Sequence, residues 1–226
     1  MAPEPYKDQT VPVVNSARAA GDGVSSGSRP AVKTEATSAG RVVNNSRRDV
    51  DAIFVDKFGE RWTDYRRRWA RAGRLEALED FPLFVRFENQ FKCNGRCRMC
   101  AHGHPDLRAD YGYDEYLPFA AFTRLVDECA DQGCPSVGLS QTNEPLLDPD
   151  IIERIKYVTD RGIMDIHLNT NGVLLTEEMS RRILEIGVTR LCLSLDAVSE
   201  DTYKKIRPGL DFKTVVKNLE TFLSLK

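Results

Sequence analysis

Three cysteines in one short stretch, Phe91-Lys-Cys-Asn-Gly-Arg-Cys-Arg-Met-Cys100, constrain this chain more than any other feature. Cys93, Cys97 and Cys100 are so close in sequence that they must share one metal centre or one cluster, and soft thiolates suit zinc or iron–sulfur centres. The N-terminus lacks the basic start, apolar stretch and small-residue cleavage site of a secretory signal. The six cysteines therefore read as metal-binding or core thiols in a reducing cytoplasm rather than as a disulfide frame. A structural zinc site takes four ligands, commonly from paired CxxC knuckles. No such pair is present, and His102 or His104 would have to supply the fourth ligand. A [4Fe–4S] cluster usually takes four cysteines, so three leave one iron open. An open position is what a catalytic metal site keeps for substrate or cofactor.

The cysteine stretch follows the first of several strand-like runs. Leu83 to Glu88 reads as a strand. Phe119 to Gln132 reads as a helix, with Phe122, Leu125, Val126 and Cys129 near helical spacing. Then come a strand from Ser136 to Ser140 and a helix from Asp148 to Arg161, with Pro149 near its start and Gly162 past its end. A strand from Asp165 to Asn169 precedes a helix from Thr176 to Ile186, with Thr176 as N-cap and Gly187 as stop. Last are a strand from Arg190 to Leu195 and a helix from Lys213 to Leu225. Strands alternating with helices specify an α/β fold with a parallel sheet. About four β–α units cannot close an eightfold barrel, so the expected architecture is a partial (β/α) barrel of TIM-barrel type or an open sheet. An edge left uncovered after the fourth strand is a route to self-association. Such folds keep their chemistry at the carboxyl ends of the strands, where the cysteines lie.

Upstream the character changes. Residues 1–49 are rich in Ser, Gly, Ala, Pro and Arg, with Tyr6 as their one aromatic, and are expected to be disordered. Residues 50–80 place Phe54, Phe58, Trp62, Tyr65 and Trp69 at helical spacings, so a helical extension is expected to pack its aromatics on the core at 81–226. Arg66, Arg67, Arg68, Arg71 and Arg74 read as its solvated face, the alternative being a site for an anionic partner. The formal net charge of −2 gives no basic excess for nucleic acid. No apolar run reaches membrane-spanning length, so no membrane association is expected.

Later strand ends carry polar groups that belong with the cysteines. Gln141-Thr-Asn-Glu-Pro-Leu-Leu-Asp-Pro-Asp150 ends the second strand, Asn169-Thr-Asn-Gly172 the third, and Leu191-Cys-Leu-Ser-Leu-Asp196 the fourth. Alternation puts Cys192, Ser194 and Asp196 on one face of that last strand and the leucines on the other. Cys192 and Cys129 read as small buried fillers, Cys134 is undecided, and His167 reads as a satisfied core histidine.

With CxxxCxxC after the first strand, these motifs resemble the radical S-adenosylmethionine (SAM) superfamily. They are similar to members with a C-terminal auxiliary-cluster (SPASM or twitch) domain, in which Met99 stands where many members have an aromatic. The resemblance covers about Phe81 to Lys226 and implies a [4Fe–4S] cluster on Cys93, Cys97 and Cys100. It implies SAM on the open iron, cleaved reductively to a 5′-deoxyadenosyl radical that takes hydrogen from a substrate. The segment around Glu144 resembles GGEPLL, with Thr142 and Asn143 in place of the glycines. It implies that Glu144 and Asn143 lie at the SAM amino group, with Asn169 and Asn171 near SAM. Ser194 and Asp196 are implied at the ribose or carboxylate. The family's barrel usually has about six units, so the chain reads as part of a longer protein or as a shortened member. The implied partners are a peptide or small-molecule substrate and an electron donor such as flavodoxin or ferredoxin. The competing functions are a non-catalytic cluster- or SAM-binding fragment and a zinc-binding interaction module.

Overall fold

The computed structural model describes residues 50–109 and 115–225. The disorder expected over residues 1–49 lies outside the described residues. The expected helical extension is a pair of helices, α1 (Val50–Phe58) and α2 (Glu60–Gly73), joined at Gly59, whose φ of 61° suits a residue without a side chain. Their aromatics share one face, and Phe54, Trp62 and Tyr65 are buried with Leu83 and Met164. Trp62 lies 4.5 Å from Phe54 and 5.3 Å from Tyr65, ring centre to ring centre. The arginines on the outer side mostly meet nearby acids: Arg67 with Asp64 at 2.5 Å, Arg68 with Glu79 at 2.6 Å, Arg74 with Glu76 at 2.5 Å. Charge neutralised in place this way favours a solvated face over an anion site.

Four parallel strands follow: β1 (Phe84–Arg86), β2 (Ser136–Gly138), β3 (Asp165–Thr170) and β4 (Arg190–Leu193), in the order β1-β2-β3-β4. Sequential order in a parallel sheet is that of a growing (β/α) barrel, as expected. Each strand has two faces. Val85, Val137, Ile166 and Leu168 face the helices α4 (Phe119–Asp131), α5 (Ile151–Asp160) and α6 (Glu177–Ile186), packing on Phe122, Ile155 and Ile183. Phe84, Arg86, His167 and Cys192 lie on the opposite face by alternation. There Gly138 makes room: a side-chain carbon on it would stand 2.9 Å from the Phe84 ring.

The amino-terminal end of the sheet is closed by α2. Tyr65 donates from its hydroxyl to Asp165 at 3.1 Å. Asp165, itself buried, also meets His167 at 3.0 Å and Arg190 at 3.0 Å; His167 thus has its partner, but it is partly exposed on the open face of the sheet rather than in the core as expected. A short helix α3 (Pro105–Ala109) follows the cysteine stretch. Helix α6 begins on Thr176, which accepts from the Met179 N–H, and ends at Gly187, with φ of 100°; both ends match the sequence signals. Helix α8 (Phe212–Leu225) packs on α6.

The expectation for Cys192 is corrected. Cys192 is exposed, because the face of β4 that carries it has no layer packed over it among the described residues. After β4 comes a short helix that no sequence pattern announced, α7 (Glu200–Ile206), capped by Ser199 accepting from the Thr202 N–H. Cys129 is core, and Cys134 is buried with its thiol donating to the Ser136 carbonyl. No helix among the described residues is long and apolar enough to cross a membrane.

Candidate functional site

A cavity of about 360 Å³ opens at the carboxyl ends of the strands. Cys93, Cys97 and Cys100 line it together with Asn143, Glu144, Asn169, Asn171 and Ser194. These are the sequence-derived candidates, with Asp196 the one left outside the lining. A second cavity, about 430 Å³, lies at the far end of the sheet beside Arg61, Arg68 and Cys134 and contains none of them.

The cysteine loop is clamped from several elements. The N–H groups of Arg96 and Arg98 donate to Pro208 and Ile206 at 2.8 and 3.0 Å, so the end of α7 runs beside the loop. The Glu144 N–H donates to the Lys92 carbonyl at 2.8 Å. Asn171 donates from its amide to Asn94 at 2.6 Å. A side chain at Gly103 would collide with the Cys97 carbonyl, so glycine permits the loop to close on itself. His102 is buried and stacked on Phe91 at 4.4 Å, away from the cavity lining.

N–H donors point at two of the sulfurs. Gly95 N–H lies 3.4 Å from Cys93 Sγ, and Arg207 Nη1 lies 3.6 Å from Cys97 Sγ. Burial pushes the Cys93 thiol up to about 11, with Glu144 adding to the rise, and it pushes the Cys97 thiol up against the pull of Arg207. The neutral forms of Cys93 and Cys97 are therefore favoured until a metal takes the proton's place.

Glu144 is buried to 1% exposure, yet both of its oxygens are engaged. Oε1 accepts from Thr170 at 2.7 Å and from the Leu146 N–H at 3.2 Å; Oε2 accepts from the Asn171 N–H at 2.7 Å. Burial nevertheless holds its pKa above the usual carboxylate range. A carboxylate has about four acceptor sites, so one remains for a further donor. The loop before it contains Thr142 and Asn143. Glu88, on the first strand's continuation, accepts from both of their N–H groups, at 2.8 and 3.0 Å, and from the Thr142 hydroxyl.

Several residues that build the site were not among the sequence-derived candidates. Thr170 supports Glu144. Asn218, on α8, donates to the carbonyls of Gly172 and Val173 at 2.9 Å and fixes the turn after β3. Arg207 lines the cavity and pairs with Asp196 at 2.5 Å. Glu88 was visible only as an acid at a strand end.

These residues fit an iron–sulfur cluster: three thiols, the soft donors such a cluster takes, line one cavity, with N–H donors on two of the sulfurs. Buried Glu144 keeps an acceptor site for a cationic amino group, as SAM would require.

The family model described as the radical SAM superfamily matches residues 90–226. A probable GTP 3′,8-cyclase of Methanococcus maripaludis is 32% identical over 129 residues, which is 57% of this chain and 41% of that protein. An AdoMet-dependent heme synthase of Methanosarcina barkeri is 32% identical over 143 residues, 62% of this chain and 39% of that protein. The chain thus spans about two fifths of these curated relatives. Among solved structures, Streptococcus suis SuiB bound to precursor peptide SuiA aligns with a TM-score of 0.55 at 18% identity, over 73% of this chain and 35% of that one. Native anSMEcpe with bound AdoMet aligns with a TM-score of 0.52 at 20% identity, over 62% of this chain and 41% of that one. At these identities the structural likeness speaks for the fold.

Proposed function

This chain belongs to the radical SAM superfamily, whose cofactors are a [4Fe–4S] cluster and SAM, and from that premise we propose that it binds both at the cysteine-lined cavity for reductive SAM cleavage. One observation carries the reading: three cysteine thiols and a buried carboxylate with a spare acceptor site line the same cavity at the carboxyl ends of a parallel sheet. When bound, the cluster and SAM supply a 5′-deoxyadenosyl radical that takes a hydrogen atom from the substrate.

The chain's own residues bind, orient and shield. Cys93, Cys97 and Cys100 hold three irons as thiolates. Glu144 accepts from the SAM amino group, held in aim by Thr170 and Asn171. Asn143, Asn169, Asn171 and Ser194 line the rest of the cavity with hydrogen-bonding groups, Ser194 toward the ribose or carboxylate. Glu88 ties down the two amides of the loop where the family has glycines. A small molecule is favoured over a peptide, since the relatives by sequence are named for GTP cyclisation and heme synthesis. The electron comes from a low-potential one-electron donor such as flavodoxin or ferredoxin.

The test is metal content after anaerobic reconstitution with iron and sulfide. About four irons and four sulfides per chain are expected, lost in Cys97→Ala. Stoichiometric zinc without sulfide would instead overturn the cluster reading in favour of a zinc site.

A further inference from the structure

Arg207 has a use beyond lining the cavity. Its Nε and Nη2 are spent on Asp196 Oδ2, at 2.6 and 2.5 Å, and this leaves Nη1 directed at Cys97 Sγ, 3.6 Å away. The side chain is 12% exposed, so its charge is poorly screened. It is mounted firmly: its N–H donates to the Tyr203 carbonyl at 2.7 Å, and the neighbouring carbonyls of Ile206 and Pro208 accept from the cysteine loop itself. The arginine and the cysteine loop are thus tied to each other through backbone hydrogen bonds. Asp196 sits at a φ of 31°, a region that side-chain-bearing residues avoid, so local backbone strain is accepted where this carboxylate meets the guanidinium.

Iron–sulfur potentials follow the net charge around the cluster and the hydrogen bonds to its sulfurs. We propose that Arg207, acting through Cys97, raises the reduction potential of the cluster, and that Asp196 fixes the guanidinium and partly offsets its charge. The inference rests on the proposed ligation by Cys97. The event concerned is uptake of one electron from a low-potential one-electron donor, which is oxidised by one electron; no bond forms or breaks and no proton moves. The added negative charge is what a fixed cation and an N–H···S contact favour.

The experiment is an EPR-monitored redox titration of the reconstituted protein without SAM, comparing wild type with Arg207→Gln, Arg207→Lys and Asp196→Asn. Arg207→Gln should lower the reduction equilibrium constant about tenfold, ~59 mV for one electron. Arg207→Lys keeps the charge but loses the fork, and should fall between the two. Asp196→Asn keeps an acceptor for the guanidinium but removes a negative charge, and should move the potential upward. Equal potentials in all four proteins would overturn the proposal. Should Arg207→Gln hold no cluster, the opposite displacements of Arg207→Lys and Asp196→Asn decide, and their absence overturns it. A wild-type protein that takes up no cluster overturns the ligation reading beneath, which is a different failure.

Discussion

At the scale of single residues the site depends on Glu144, a carboxylate buried against three donors of its own chain. A hydrogen bond to a charged group is worth roughly 1.5–3 kcal/mol, which corresponds to about tenfold or more in affinity. Glu144→Gln should therefore weaken SAM binding at least about tenfold by calorimetry on the reconstituted protein, with iron content unchanged. Equal affinity would move the amino-group contact elsewhere. The acid was legible from its place before Pro145-Leu-Leu147. Its surroundings were not, because Thr170 bonds it from 26 positions away, while Glu88 and Asn218 fix the neighbouring loops across 54 and 46 positions, and no local pattern encodes such pairings. Asp196 shows the same limit from the other side. Its strand alternation was readable, but its partner, Arg207, stands past a helix that the sequence reading missed.

At the scale of elements, long periodic segments declared themselves and short ones did not. Helices α4 and α8 were legible from apolar positions at helical spacing, and α5 and α6 from their end signals, Pro149 and Gly162 for one, Thr176 and Gly187 for the other. Helix α7 has seven residues and buries only Tyr203, so it offers too few positions for a period to show. Strands β1, β2 and β4 ended earlier than expected, because the chain leaves the ladder to form the site loops, while β3 runs one residue past Asn169 to Thr170. Helix α2 contributes the fully buried Trp62 to a cluster beneath the sheet. Trp62→Ala should cost about 3–5 kcal/mol in denaturant unfolding.

The anchor joining α2 to β3 and β4 is Asp165. Burial pushes its pKa up, but His167, Thr189 and Arg190 outweigh that and hold it below the ordinary value of 3.8. A depressed carboxylate contributes stability that is present above its unfolded value and lost as pH falls through its folded value. The wild type should therefore lose stability more steeply below about pH 4 than Asp165→Asn does, measured by thermal unfolding across pH. Parallel curves would remove Asp165 from the anchor.

At the scale of the whole molecule, the arrangement has two unlike ends. Aromatic helices close the amino-terminal end of the sheet, while the carboxyl end carries thiols, amides and a buried acid around a cavity. The parallel order of four strands was readable from alternation alone. That their ends converge on one cavity was implied by the family resemblance, and the folded chain brings all but one of the candidate residues there. The exposure of Cys192 was not readable, since burial on a sheet face depends on what lies over it. The central claim is that this cavity holds SAM against an open iron. Its most direct test is the yield of 5′-deoxyadenosine when the anaerobically reconstituted protein meets SAM and a strong one-electron reductant. The account predicts formation that requires reductant and vanishes in Cys97→Ala; a protein that holds four irons yet yields no 5′-deoxyadenosine would contradict it.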